Sequence, residues 1–216
     1  MKKKVINSSI FAAVCIFLSG CAASYKPLNP ETASYIKDNG GVANVQLEYH
    51  HNLLAEKKNK KHHKKELKKG TQIIALKITN NTEADLEYNK NFQLYSNGAV
   101  LNVLPTETTH SQLKQQAGLY LLHLLWTFTT VTTNSSGDGH ASSSNTEVYP
   151  VGLIIGPAVA LGNMAVASSA NKKFKEELDK YSIFNRAIKK GETGYFLIAI
   201  SSTTFQPINL KIINPV

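Results

Sequence analysis

The sequence predicts an α+β fold in which an antiparallel β-sandwich carries an inserted apolar helical hairpin. Three observations lead there. At least six short segments alternate apolar and polar residues, turn residues separate them, and two uncharged apolar segments joined by a Ser/Gly-rich loop lie within residues 106–190. Strand side chains alternate between two faces, whereas helical ones recur every three to four residues, so spacing separates the two kinds of element.

Taken in order, Val45, Leu47 and Tyr49 alternate with Gln46, Glu48 and His50 and predict a strand with one buried face. Ile74, Leu76 and Ile78 repeat the pattern in "QIIALKITNN", and Asn80-Asn81 begins a turn. In "NFQLYSNGAVLNVLP" two strand-like runs flank Asn97-Gly98, a pair that tolerates positive φ and specifies a tight hairpin. "GETGYFLIAIS" and "FQPINLKII" supply two more strands, and Tyr195 to Ile200 is apolar on both faces, so both are expected to be covered. The sandwich domain is placed at residues 41–216 with its helical insertion at about 106–190.

Two phrases, "LKITNNTEADLEY" and the later "IKKGETGYFLIAI", resemble the immunoglobulin-like (Ig-like) domains of bacterial envelope lipoproteins. In those domains a strand ends in an Asn-rich turn, and a late Gly-Glu turn leads into a closing strand. Here Gly191-Glu192-Thr193-Gly194 is one residue tighter. The resemblance covers roughly residues 40–105 and 188–216, implies an Ig-like sandwich, and brings no catalytic residues with it.

The insertion has a first apolar segment from about Ala117 to Val131 and a second from Val148 to about Ala167. Gly152, Gly156 and Ala160 recur every four residues and form a small face for close helix packing. Pro157 is expected to bend or break this helix. Farther on, Phe174, Leu178 and Tyr181 follow helical spacing while Lys172, Lys173, Lys175, Glu176, Glu177 and Lys180 are expected to face water. About 20 residues at ~1.5 Å each reach ~30 Å, long enough to cross a hydrocarbon core. The Ala- and Gly-rich composition, with His123 in the first segment, favours a hairpin packed on the sandwich; bilayer insertion and oligomer assembly are the alternatives.

At the N-terminus, Lys2, Lys3 and Lys4 precede a short apolar run that ends in Leu18-Ser19-Gly20-Cys21. This resembles a bacterial lipoprotein precursor, whose lipobox reads aliphatic, small, small, Cys. The resemblance implies a signal peptide over residues 1–20, cleavage before Cys21, acyl chains such as palmitate on Cys21, and an extracytoplasmic, membrane-anchored product. Residues 21–40 are then the lipidated N-terminus and tether. Ala22 in place of Asp implies the outer membrane, facing the periplasm, if the cell is Gram-negative. Cys15 leaves with the signal peptide and Cys21 is acylated, so no thiol chemistry is expected downstream.

The formal charge of +9 falls to +6 without Lys2, Lys3 and Lys4, and the stretch Glu56 to Lys69 carries that surplus alone. Its lysines are Lys57, Lys58, Lys60, Lys61, Lys64, Lys65, Lys68 and Lys69. One basic segment rather than a basic fold argues against a nucleic-acid partner. The stretch reads either as a solvated hairpin loop or as a contact for anionic headgroups.

His50-His51 and His62-His63 tempt a metal reading, but neighbouring strand residues point to opposite faces and lysines surround the second pair. Ser136, Asp138 and His140 share one loop that lacks the rigid positioning a triad needs. Neither metal, cofactor nor enzyme activity is expected. The function read from sequence is a lipid-anchored envelope binding or structural protein, with an envelope protein or a second copy as partner. The alternative is a membrane-active lipoprotein whose hairpin enters the bilayer.

Overall fold

The computed structural model describes residues 21–37, 42, 44–128, 131–135, 145–149, 152–184 and 186–213. The expected signal peptide lies outside them, as do Ser136, Asp138 and His140. The chain divides into two compact units, one formed by Ser24–Gln115 and Ser169–Val216, the other by Met1–Ala23 and Gln116–Ser168.

The larger unit is built on antiparallel sheets. Strands β1 (Ile36–Lys37), β2 (Val45–His50), β3 (Thr71–Asn80) and β10 (Thr193–Ser201) form one sheet in the order β1-β2-β3-β10. Strands β5 (Phe92–Ser96), β6 (Ala99–Val100) and β11 (Asn209–Ile212) form a second in the order β11-β5-β6, and β4 (Leu86–Glu87) pairs with β9 (Ala187–Ile188). The central pair runs in register from Thr71 opposite Ser201 to Thr79 opposite Thr193. Asn97 and Gly98 both have positive φ and close the two-residue turn between β5 and β6, as their sequence specifies.

Alternation along β3 and β10 makes two cores. Ile74, Leu76, Ile78, Phe196, Ile198 and Ile200 meet Phe92, Leu94 and Leu210 of the second sheet. Ile73, Ala75, Leu197 and Ala199, on the opposite face, meet helices and the N-terminal segment. Both faces of the central pair are therefore covered, which explains why these strands are continuously apolar. Fully buried Asn80 holds the turn beyond β3: its amide donates to the carbonyls of Ala84 and Ile188, and its Oδ1 accepts from Thr82.

The lysine-rich stretch is not the expected loop. It forms a short helix α1 (Leu53–Glu56) and a longer α2 (Lys60–Lys69). Leu53 and Leu54 are buried in the helical core, and His62 and Glu66 turn inward from α2, so one face of the stretch is structural. Gly70, in the left-handed region, ends α2 and donates to the Glu66 carbonyl. Residues 24–37 are likewise no free tether, because Tyr25 and Leu28 belong to the helical core.

A helix α3 (Thr106–Leu113) precedes the insertion. The expected helical hairpin is not formed as such: its first apolar segment is a 3₁₀ helix, Ala117–Phe128, and the two ends of the expected loop, residues 133–147, pair within antiparallel strands β7 (Val131–Ser135) and β8 (Asn145–Tyr149). Helix α4 (Gly152–Lys180) therefore starts after Val148 and Tyr149, which pair in β8. It runs unbroken through Pro157. That proline lies near the helix start, where it removes one backbone bond.

Candidate functional site

The N-terminal segment meets two helices of the larger unit. Asn59 sits at the start of α2, and its carbonyl accepts the His63 N–H at 2.9 Å to open the helix. Its side chain does not cap that helix. Instead Oδ1 accepts the Lys26 N–H at 2.9 Å and Nδ2 donates to the Lys26 carbonyl at 2.8 Å. Buried as it is, Asn59 mimics a strand partner for Lys26.

Glu177 holds the same segment from α4. It accepts the Leu28 N–H at 3.0 and 2.9 Å, the Asn29 N–H at 2.8 Å, and the Tyr25 hydroxyl. Sequence reasoning placed Glu177 in water, and the structure corrects this: it is buried beside Phe174 and Leu178. Helical spacing alone puts position 177 on the flank of the buried stripe, and only the arrival of residues 25–29 closes over it. Burial, followed by the Glu177 hydrogen bond and charge, pushes the Tyr25 hydroxyl well above the ordinary phenol range.

The lysines surround α2 on its remaining sides. Lys60, Lys64 and Lys68 recur every four residues and are exposed, with Leu67, 69% exposed, beside them. Lys61 and Lys65 form a half-buried neighbouring row, Lys69 is exposed, and Lys57 and Lys58 lie in the turn between α1 and α2. Lys57 pairs with Glu56 at 3.6 Å. Lys58, Lys60, Lys61, Lys64, Lys65, Lys68 and Lys69 form no ion pair among the described residues. Desolvation, then the charges of Lys68 and Lys69, pull the Lys65 ammonium below its ordinary value.

Glu66 fastens this lysine surface to the sheet. Its Oε1 accepts the Ile73 N–H of β3 at 2.8 Å, and its Oε2 lies 2.8 Å from Nδ1 of His63. Burial raises the Glu66 carboxyl above its ordinary value, against the opposing pull of Ile73 N–H and His63.

The histidine pairs do not converge. His50 contacts Glu56 at 2.5 Å, His51 contacts the Gln206 carbonyl at 3.1 Å, His63 contacts Glu66, and His62 is buried against Tyr25 and Phe174. Among the described residues no group of three or more His, Cys, Asp or Glu is arranged to hold a metal ion.

In the smaller unit, Cys21 is half-buried and the next residue is pinned: the Ala22 N–H donates to Asn163 Oδ1 of α4 at 2.7 Å. On α4, Gly156 and Ala160 are buried, and Gly152 opens the helix. Among the described residues no helix is long and apolar enough to cross a membrane. No known protein family, curated protein or solved structure matches the chain.

Proposed function

We propose that the chain is a lipid-anchored module of the bacterial envelope, held by acyl chains on Cys21 and oriented against an anionic surface by the lysines of α2. The observation that carries this reading is the paired hydrogen bonding of Asn59 with Lys26. It fastens the start of the lysine helix to a point five residues along the chain from Cys21. Even fully extended, five residues reach at most ~18 Å, so an anchor at Cys21 brings the basic helix near the headgroups. Several acyl chains suffice for retention. The lysines then set orientation, each contributing roughly 1 kcal/mol where it reaches the headgroup layer.

In this reading the two antiparallel sheets sharing one core are an elaborated Ig-like sandwich, and the module binds or braces other envelope components without chemistry of its own. Its address is extracytoplasmic, on the periplasmic face of the outer membrane in a Gram-negative cell. An envelope protein or a second copy is its partner, and nucleic acid is not. Feeding cells a palmitate analogue tests the anchor. Label should enter the wild-type chain and not Cys21→Ser, and a labelled Cys21→Ser chain overturns the reading.

A further inference from the structure

The smaller unit leaves a regular apolar surface in solvent. A 3₁₀ helix has three residues per turn, so side chains three apart stack in rows. In Ala117–Phe128 one row turns inward: Tyr120 is buried and its ring stacks on His123 with centroids 6.2 Å apart. The next row is Leu119, Leu122 and Leu125, which are 55, 58 and 69% exposed. Leu121 and Leu124 form the third row and are exposed as well. Leu153 and Leu161 of α4, in the same unit, also face solvent. From Gln115 to Phe128 there is no Asp, Glu, Lys or Arg.

Such a surface needs a cover, because soluble proteins rarely leave a contiguous apolar patch of this kind open. Its place in the chain says which. Cys21 belongs to the same unit. Asn163 pins residue 22 to the same unit. Acyl chains leaving Cys21 must enter a bilayer, so the unit that carries the leucine row stands at that bilayer's surface. Twelve residues of 3₁₀ helix span only ~24 Å, less than the ~30 Å hydrocarbon core. The row is thus built to lie in the interface rather than to cross it.

We propose that Leu119, Leu122 and Leu125 are a shallow membrane-insertion ridge that enters the same leaflet as the acyl chains of Cys21. This rests on the acylation of Cys21 and adds to it a protein surface in direct contact with lipid tails. Trp126 is the only tryptophan in the chain, so Leu122→Trp in a Trp126→Phe background carries a single reporter on the ridge itself.

The full processed chain, purified from labelled cells, is reconstituted into phosphatidylcholine vesicles whose acyl chains carry bromine near the headgroup or near the chain end. Shallow bromine should quench the Leu122→Trp/Trp126→Phe reporter more than deep bromine, and adding Leu119→Ser and Leu125→Ser should lose this quenching while keeping the label. A second reporter, Leu125→Trp in a Trp126→Phe background, should show the same depth preference with two ridge leucines intact. A labelled Leu122→Trp/Trp126→Phe chain whose tryptophan is quenched by aqueous acrylamide and not by bromine overturns the ridge. So does shielding that depends on protein concentration and is lost on dilution, which would make a second copy the cover. An unlabelled chain that bromolipid still quenches overturns the acyl anchor and leaves the ridge standing; one that is neither labelled nor quenched overturns both.

Discussion

Asn59 and Lys26 exchange two hydrogen bonds, at 2.9 and 2.8 Å, across 33 residues of chain. The pair joins the N-terminal segment to the lysine helix. Asn59→Ala removes both hydrogen bonds to the Lys26 N–H and carbonyl at a part-buried contact, at a cost of about 0.5–1.5 kcal/mol. Calorimetry should show a lower Tm, and hydrogen exchange should speed up at residues 25–29. Exchange there at the wild-type rate would mean the pair holds nothing.

Glu177→Gln keeps one acceptor but loses the charge that strengthens three donors, and should destabilise by roughly 1–3 kcal/mol. Tyr25→Phe removes a single donor and should cost less. Because the two residues share one network, the double variant should fall short of the summed losses. Strict additivity in a double-mutant cycle on chemical denaturation would show that Tyr25 and Glu177 act separately.

Acid should weaken the larger unit through His62. Its Nε2 is buried without a hydrogen-bond partner among the described residues. Burial first, then the nearby His110, lower its pKa from 6.5 to about 4. Tyr25 and Phe174 face the ring, and Glu107, Lys114 and Lys175 act on His110 beside it. The unfolded chain takes up this proton first as pH falls, so the His62 contribution is complete above about 6.5, declines between there and about 4, and levels off below. The span amounts to roughly 3 kcal/mol. His62→Leu should flatten this part of the stability profile, and an unaltered slope would assign the acid response elsewhere.

The lysine row should govern surface attachment and little else. Changing Lys60, Lys64 and Lys68 to Gln should weaken binding to anionic vesicles in low salt, and added salt should erase the wild-type advantage as screening shortens. Tm should scarcely move, since exposed charges contribute little to stability. Vesicle sedimentation that is indifferent to these changes would leave α2 a structural element only.

Gly156→Leu tests the small face of α4. Gly156 is buried, so a leucine there should overpack its surroundings and cost ~1–3 kcal/mol, visible as a lower Tm or aggregation. A neutral substitution would place that position against open space.

The sequence by itself determined strands β2, β3, β5, β10 and β11, the Asn97-Gly98 hairpin and the double-sided burial of β10, because period-2 alternation and positive-φ turn residues are local signals; β7 and β8, inside the expected helical hairpin, were not legible in it. It also determined the stripe of Phe174, Leu178 and Tyr181, whose helical spacing needs no distant partner. The lysine stretch could not be read this way: its apolar residues are few, and its inward face rests on His62 and Glu66, polar residues whose burial depends on Phe174 and Ile73 far along the chain. Glu177 was hidden for the same reason, since a carboxylate beside a buried stripe faces water until residues 25–29 bring it three donors. In Ala117–Phe128 leucines occupy so many positions that α and 3₁₀ periods fit equally well, and only the stacking of Tyr120 on His123 marks the three-residue row. Tertiary structure decided what depended on partners brought from elsewhere: which polar groups are inside, and which leucines remain outside.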